Sequence, residues 1–207
     1  MQQRSDEWFK ARCGKATASK IADIIAKTKS GYSASRKNYE AQLIAERLTG
    51  FVEPSFTSTA MQWGIETEAQ ARLTYQFSTD AEVQEVGFVD HPTVEMSGAS
   101  PDGVVGEGLL EIKCPNTATH LDTLIGGKVP KIYITQMMWQ MACMEKEWCD
   151  FVSFDPRLPE AMQMFVARVH YDKDVVADME NEVVKFLGEV DAKVKLLKEK
   201  FEIDCEF

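Results

Sequence analysis

The chain has 207 residues, 44% of them hydrophobic, with a formal net charge of −10 and a pI near 4.9. This length suffices to bury a core as one α/β domain, whereas no apolar run approaches the roughly 20 residues of a membrane span and the polar start has no signal-peptide pattern. The five cysteines are odd in number and lack C-x-x-C spacing, so we expect neither a zinc site nor a disulfide framework. These features predict a soluble, unexported protein of a reducing cytoplasm.

The charge is distributed unevenly along the chain. Residues 1–50 hold ten Lys or Arg against five Asp or Glu, while residues 51–207 hold thirteen against twenty-eight. A basic N-terminal part on an otherwise acidic protein would attract a polyanion to one surface and repel it elsewhere. The alternative is a basic helix that is merely solvated.

Near the N-terminus, Thr17-Ala18-Ser19 precedes an apolar stretch that continues through Ile25. We expect a hydroxyl to cap a helix here, and the N-terminus of such a helix is an anion site. Arg12 lies just upstream. The alternative is a plain N-cap beside a surface arginine.

A basic, glycine-containing loop follows, and it ends where a helix is predicted from about Ser33 to Leu48. The loop contains Lys27, Lys29, Gly31 and Tyr32. Its charge makes it a candidate contact for a polyanion.

The next helix is predicted from about Thr59 to Phe77, with one apolar stripe formed by Ile65, Ala69, Leu73 and Phe77 and with Ala71 and Tyr75 outside it. Most of its circumference is apolar. Periodicity therefore does not decide whether Glu66 or Glu68 points inward, and Glu68 with Arg72 also fits a surface i,i+4 ion pair.

The most informative segment is Ser100-Pro101-Asp102-Gly103, which is followed after a glycine-rich turn by the apolar run 109–113. Strand residues alternate faces, so Glu111 and Lys113 project to one side. The three glycines between Asp102 and this run favour a tight reversal that brings Asp102 back beside Glu111.

Two converging carboxylates with few other ligands suit a hard, oxygen-preferring ion such as Mg²⁺ or Mn²⁺. Lys113 would then orient a nucleophilic water or stabilise charge in the transition state. The same pattern fits an ordinary hairpin with a solvated face. The apolar opposite face of the strand and the Cys114-Pro115 stop favour a metal-dependent phosphodiesterase site.

After Pro130 the spacing of apolar residues predicts an amphipathic helix, with Tyr133 and Gln136 near its start. Residues 149–154 and 164–169 are predicted strands, and residues 172–200 a long, charge-rich helix that covers the core.

The quoted residues resemble the PD-(D/E)xK nuclease superfamily, and the wider chain resembles the phage lambda exonuclease and YqaJ-type viral recombinase family. The resemblance extends from about Asp6 to Pro156. Its pieces are Trp8 with Arg12-Cys13-Gly14, Thr17-Ala18-Ser19, Trp63-Gly64 with Glu68, Ser100-Pro101-Asp102-Gly103, Glu111-Ile112-Lys113-Cys114-Pro115, Tyr133 with Gln136, and Phe154-Asp155-Pro156-Arg157.

This resemblance implies an α/β, restriction-endonuclease-like core in which helices flank a mixed central β-sheet. It implies processive 5′-to-3′ digestion of one strand of linear double-stranded DNA to mononucleotides, which leaves a 3′ single-stranded overhang for recombination. The expected cofactor is Mg²⁺, with Mn²⁺ as a substitute and two ions per site. The expected partners are duplex DNA with free ends, a homotrimeric ring of the chain itself and a single-strand annealing protein, in the cytoplasm of a bacterial host of a phage or prophage.

The resemblance also assigns roles at the metal. Asp102 and Glu111 are expected ligands, with the backbone carbonyl of Ile112 beside them and Glu68 as a third acid, directly or through water. Lys113 is expected to act on the nucleophilic water. Gln136 and Tyr133 are expected to position the substrate.

Matching positions in the family form a pocket for the terminal 5′ phosphate, which here would use Arg12, Ser19 and Ser100 with Thr17 nearby. An arginine expected just after Cys114-Pro115 is replaced in the stretch 117–120. Lys29 takes the place of an arginine that reaches the duplex and keeps its charge without the planar fork. Met61 takes the place of an apolar wedge that separates the strands, although it fits a core methionine equally well.

We expect one nuclease domain spanning 1–207, with basic DNA-contacting helices at about 1–50, a catalytic core at about 59–170 and a C-terminal helix at about 172–203. Two other functions fit the same residues. An endonuclease on this core would cut covalently closed circles, and a non-catalytic DNA-end-binding module would bind ends without metal-dependent turnover.

Overall fold

The structure, a computed structural model, describes residues 1–29, 31–52 and 59–202. In chain order its elements are α1 (Asp6–Arg12), β1 (Ala16–Thr17), a 3-10 helix (Ala18–Lys20), α2 (Ile21–Ile25), β2 (Lys27–Thr28), β3 (Gly31–Tyr32), α3 (Ala34–Thr49), α4 (Thr59–Thr79), β4 (Val89–Asp90), β5 (Ser97–Ala99), β6 (Gly103–Val105), β7 (Gly108–Lys113), α5 (Thr117–Gly126), α6 (Lys131–Met144), β8 (Trp148–Phe154), a second 3-10 helix (Glu160–Met162), β9 (Met164–His170) and α7 (Lys173–Phe201). In these ranges no helix combines the length and the apolar character that crossing a membrane requires.

The central sheet has the strand order β6-β7-β8-β9 and is mixed. β7 pairs antiparallel with β6 and parallel with β8, and β8 pairs antiparallel with β9. A smaller sheet places β5 between β1 and β4. The parallel pair sets Glu111 of β7 opposite Phe151 of β8, in the middle of the larger sheet.

Alternate residues of β7 pack into two separate hydrophobic clusters, one on each face of this sheet. Leu109 packs into a cluster with residues of α2, α3, α6 and α7, whereas Leu110 and Ile112 pack into a second cluster with Ala71 and Tyr75 of α4. The period-2 alternation predicted for this strand therefore separates the helical layers of the protein.

The C-terminal helix α7 does more than cover the core with charge. One of its faces is buried, and Phe186 on that face stacks on Tyr39 of α3 with ring centroids 5.8 Å apart. Ion pairs along the same contact join Arg36 to Glu189 and Lys193 to Glu40. Helix α3 is thus fixed to α7 by a ring stack and by ion pairs of both polarities.

The apolar stripe noted in the sequence of α4 lies on the solvent side of the helix. Phe77 is 93% exposed and Leu73 66% exposed, while Ala71 and Tyr75 are buried. The Tyr75 hydroxyl donates a 2.8 Å hydrogen bond to Asp150 of β8 and so fixes which side of the helix meets the sheet. Apolar residues occupy most of the helix circumference, and spacing alone does not reveal this polar anchor.

The prediction of a hydroxyl cap near the N-terminus is wrong. Thr17 ends β1 and makes no side-chain cap hydrogen bond, and α2 begins only at Ile21. The backbone of Thr17 is used elsewhere, since it pairs with Gly98 of β5 and its N–H donates to the Tyr39 hydroxyl. The strand pairing therefore replaces the expected helix start.

Candidate active site

A hairpin brings the two predicted metal-binding carboxylates together. β6 and β7 are joined by a turn in which Gly106 has φ +52°, a left-handed conformation that glycine adopts without strain. The pairing continues beyond β6, because the Asp102 N–H donates to the Leu110 carbonyl. The Asp102 carboxylate in turn accepts a 2.7 Å hydrogen bond from the Ile112 N–H. The glycine-rich reversal thus places Asp102 beside β7, as the sequence predicts.

Glu111 is fully buried, and both of its carboxylate oxygens have partners. Its Oε1 accepts a 2.6 Å hydrogen bond from Gln136 and is paired with the Lys113 ammonium group. Its Oε2 accepts a 2.6 Å hydrogen bond from Gln140. A buried charge is tolerated when it is paired and hydrogen-bonded in this way. The neighbouring elements therefore hold Glu111 in one orientation.

The electrostatics of this cluster favour a bound cation. Burial raises the pKa of Asp102 well above its usual range, and the nearby Glu111 carboxylate raises it further. Burial alone would lower the pKa of Lys113, but the attraction of Glu111 and Asp102 outweighs it and the pKa is raised. Lys113 is therefore charged at neutral pH. Two carboxylates that repel each other beside a single ammonium group leave room for further positive charge.

The Ile112 carbonyl is suitably directed to join these carboxylates. In a strand, the N–H and C=O of one residue point to the same side. Since the Ile112 N–H points to Asp102, its carbonyl also faces the Asp102 side of β7. Two carboxylates and one carbonyl fit Mg²⁺, which usually keeps waters and takes substrate phosphate oxygens as its remaining ligands.

Glu68, the predicted third acid, lies on α4 and is held by two arginines. Arg72 donates to it at 2.7 Å, which is the i,i+4 pair that the sequence left open, and Arg4 donates at 3.2 Å. Its charge still contributes to the raised pKa of Asp102, so it faces the same cluster. Among the described side chains, no three from His, Cys, Asp and Glu lie close enough to hold a metal ion by themselves.

Helix α6 carries the predicted substrate-positioning residues to the same place. Tyr133 stacks on Phe151 of β8 with centroids 5.4 Å apart, and the Lys113 Nζ lies 5.3 Å from the centre of the Tyr133 ring. Gln136, one turn later, reaches Glu111. Both side chains are half-buried, so they border the cluster and also meet solvent.

A second group of residues forms a candidate anion site around Trp8 of α1. The Trp8 indole N–H donates a 2.9 Å hydrogen bond to Ser100 Oγ, and the Arg12 guanidinium carbon lies 3.8 Å from the indole ring centre. Burial lowers the pKa of Arg12, and within the described residues its guanidinium makes no hydrogen bond or ion pair. Ser100 lies two residues before Asp102. Arg12 and Ser100, far apart in sequence, are thus joined through one tryptophan next to the carboxylate cluster.

Among the described contacts, none joins the remaining predicted DNA-binding residues to this group. Thr17 is buried, Ser19 is exposed on the first 3-10 helix, and Lys29 is exposed between β2 and β3. Among the described contacts, none connects Ser19 or Lys29 to the carboxylate cluster. The side chain of Met61 lies outside the described residues, so its role as a wedge stays a prediction.

Sequence reasoning overlooked the roles of Trp8 and Gln140. Gln140 lies four residues after Gln136, so helical periodicity places both on one face of α6 and offered a signal. Trp8 offered none, because its contact with Ser100 joins residues 92 positions apart. Burial raises the pKa of the Cys114 thiol, which follows Lys113 in the chain, to about 12.

Comparison with known proteins gives matches to one family and to solved exonucleases. Residues 7–147 match the model of the YqaJ-like viral recombinase domain. A crystal structure of LHK-Exo in complex with dAMP is 51% identical with a TM-score of 0.90, and the match covers 96% of this chain and 98% of that one. The alkaline exonuclease LHK-Exo from Laribacter hongkongensis is 50% identical with the same TM-score and coverage. No curated protein matches the chain.

A more distant match supports the fold alone. A phage-related exonuclease from Haemophilus somnus 129PT is 16% identical, with a TM-score of 0.68 over 90% of this chain and 96% of that one. Together with the mixed sheet and its flanking helices, these similarities confirm the predicted α/β, restriction-endonuclease-like fold.

Proposed function

Since the chain belongs to the YqaJ-like viral recombinase family and is a nuclease, we propose that it is a Mg²⁺-dependent exodeoxyribonuclease. It digests one strand of linear double-stranded DNA from the 5′ end to mononucleotides and leaves a 3′ single-stranded overhang. The resemblance recognised in the sequence is confirmed at the level of the family. Metal dependence, direction and products are the proposed part.

The observation that carries the proposal is the joining of Asp102, Glu111 and Lys113 on one hairpin. Asp102, Glu111 and the Ile112 carbonyl would hold the metal, with Glu68 acting from α4. When bound, Mg²⁺ supplies positive charge against the scissile phosphate and acidifies a water molecule. Lys113, which is paired with Glu111, would orient the nucleophile and stabilise charge in the transition state.

Helix α6 supplies the substrate contacts of this proposal. Gln136 is half-buried and borders the cluster, so its amide can reach the scissile phosphate or the attacking water. Tyr133 lies over the Lys113 ammonium group and limits the positions that this group can take. These placements favour hydrolysis with a positioned water over a covalent intermediate, because none of the named side chains is an activated nucleophile.

The 5′ end requirement is supported by the anion site around Trp8. The Ser100 oxygen accepts the indole hydrogen bond, so its own hydroxyl proton remains available for a phosphate oxygen. Arg12 lies over the Trp8 ring, with its guanidinium carbon 3.8 Å from the ring centre, and among the described residues it makes no hydrogen bond or ion pair that would compete with a phosphate. We place the terminal phosphate between Arg12 and Ser100; no described contact joins the other predicted pocket residues, Ser19 and Thr17, to this group.

The acidic net charge is compatible with DNA binding because the basic residues are concentrated in one part of the chain. Residues 1–50 form α1, α2 and α3 and the hairpin that presents Lys29. This part would face the duplex, and electrostatic repulsion would keep DNA from the acidic remainder. We also propose a homotrimeric ring that encloses the DNA, cooperation with a single-strand annealing protein, and action in the cytoplasm of the bacterial host.

Direction and products can be tested on linear duplexes labelled at either the 5′ or the 3′ end of one strand. We expect Mg²⁺-dependent release of the 5′ label as a mononucleotide, retention of the 3′ label on long strands, and strongly slowed release by Lys113→Ala. Release of the 3′ label first would indicate digestion from the 3′ end and contradict the proposed direction. Binding without release by well-folded wild-type protein would favour the end-binding module.

A further inference from the structure

Two glutamines on one face of α6 contact Glu111, but their surroundings differ. Gln136 donates to Oε1 and is half-buried, whereas Gln140 donates to Oε2 and is fully buried. Both distances are 2.6 Å, which is short for an amide–carboxylate hydrogen bond. Only Gln136 has access to a substrate.

The orientation of the Gln140 amide is determined by its neighbour. Reversing the amide would bring its oxygen against the Glu111 carboxylate, so the nitrogen must face Glu111. In this orientation the Gln140 Oε1 is buried and has no hydrogen-bond partner among the residues that the structure describes. A buried, unpaired carbonyl oxygen lowers stability, and such groups are found where function requires the arrangement.

Gln136 has two partners, Glu111 and the substrate, if it also contacts the substrate during the reaction. Gln136 and Lys113 share Oε1 of Glu111 in the structure. When Gln136 turns to a phosphate oxygen or to the attacking water, Glu111 loses one of its amide contacts. The contact from Gln140 to Oε2 is the one that no substrate can displace, since Gln140 has no exposed surface.

We propose that Gln140 is a positioning residue of the metal site. It holds Glu111 in its metal-binding orientation throughout the reaction, while Gln136 exchanges between Glu111 and the substrate. This inference rests on the proposed function, because it assigns Glu111 as a metal ligand. Hydrogen-bond partners of metal ligands typically change metal affinity by about 10- to 100-fold when removed. Gln140 therefore acts on metal affinity, and Gln136 acts on turnover.

The matched variants are Gln140→Met and Gln136→Met, which both remove an amide and keep a side chain of similar length. Binding of Mn²⁺ alone to the DNA-free protein is measured by titration, and digestion of linear duplex is measured over a range of Mn²⁺ concentrations. We expect Gln140→Met to weaken Mn²⁺ binding at least tenfold and to regain activity at high Mn²⁺. We expect Gln136→Met to weaken Mn²⁺ binding less than Gln140→Met does, because Lys113 still pairs with Oε1 of Glu111, and to stay slow at saturating Mn²⁺.

Wild-type Mn²⁺ affinity in folded Gln140→Met would overturn the proposal while leaving the nuclease function intact. Wild-type protein that digests DNA but binds no Mn²⁺ would instead overturn the metal site and the proposal with it. If Gln140→Met does not fold, NMR of wild-type protein labelled with ¹⁵N-glutamine replaces it. Addition of Mg²⁺ should shift the Gln140 side-chain amide and leave it protected from exchange, and an amide that exchanges freely in the presence of Mg²⁺ would contradict the assignment.

Discussion

Replacing Trp8 by phenylalanine tests whether the indole aligns the anion site. The change removes the N–H that donates to Ser100 Oγ at 2.9 Å and keeps an aromatic face for Arg12. A partly buried hydrogen bond of this kind contributes about 0.5–1.5 kcal/mol, which corresponds to about a 2- to 13-fold change in an equilibrium constant. We expect Trp8→Phe to lower the preference for 5′-phosphate over 5′-hydroxyl ends by this factor.

The assay compares kcat/KM for the same linear duplex with 5′-phosphate and with 5′-hydroxyl ends. Because Ser100→Ala removes the other partner of the bond, it should lower the preference by a similar factor, and the double variant should lose little more than either single variant. If Trp8→Phe lowers kcat/KM equally for both ends while the protein stays folded, the indole supports only the fold, and the anion-site argument fails.

Three further predictions concern catalysis, packing and pH. Lys113→Ala should lower turnover by about 10²- to 10³-fold without weakening duplex binding, measured by single-turnover digestion and by binding in Ca²⁺. Tyr75→Phe should cost about 1–3 kcal/mol of unfolding free energy in urea, whereas Phe77→Ser on the exposed face should change it by less than about 0.5 kcal/mol. Burial opposes ionisation of Asp155, but hydrogen bonds from Arg157 hold its pKa at about 2, so the ionised group contributes about 2 kcal/mol at neutral pH that is lost as the pH falls from about 4 to 2. The stability difference between wild type and Asp155→Asn should shrink over that range, and a difference independent of pH would contradict the assignment.

The parts of the site that follow from local chemistry could be predicted from the sequence. Strand alternation places Glu111 and Lys113 on one side of β7, and glycines permit the reversal that returns Asp102 to that strand. Both features act within twelve residues of chain. The family resemblance added the positions of Glu68, Tyr133 and Gln136, which periodicity alone did not select.

The parts that depend on distant contacts could not be predicted in this way. On the buried face of α4, Tyr75 is anchored by a hydrogen bond to Asp150, 75 residues away in sequence. The exposed face nevertheless has the better apolar spacing. The start of α2 depends on the pairing of Thr17 with β5. The alignment of Arg12 and Ser100 through Trp8 likewise arises only when α1 folds against the end of β5.

The most direct test of the central claim compares a covalently closed circular duplex with the same circle cut once, in Mg²⁺ and in excess EDTA. We expect that only the linear form is degraded, that EDTA abolishes degradation and that Lys113→Ala degrades the linear form about 10²- to 10³-fold more slowly. Cleavage of the closed circle would identify an endonuclease, and digestion of the linear form in EDTA would contradict the role assigned to Asp102 and Glu111.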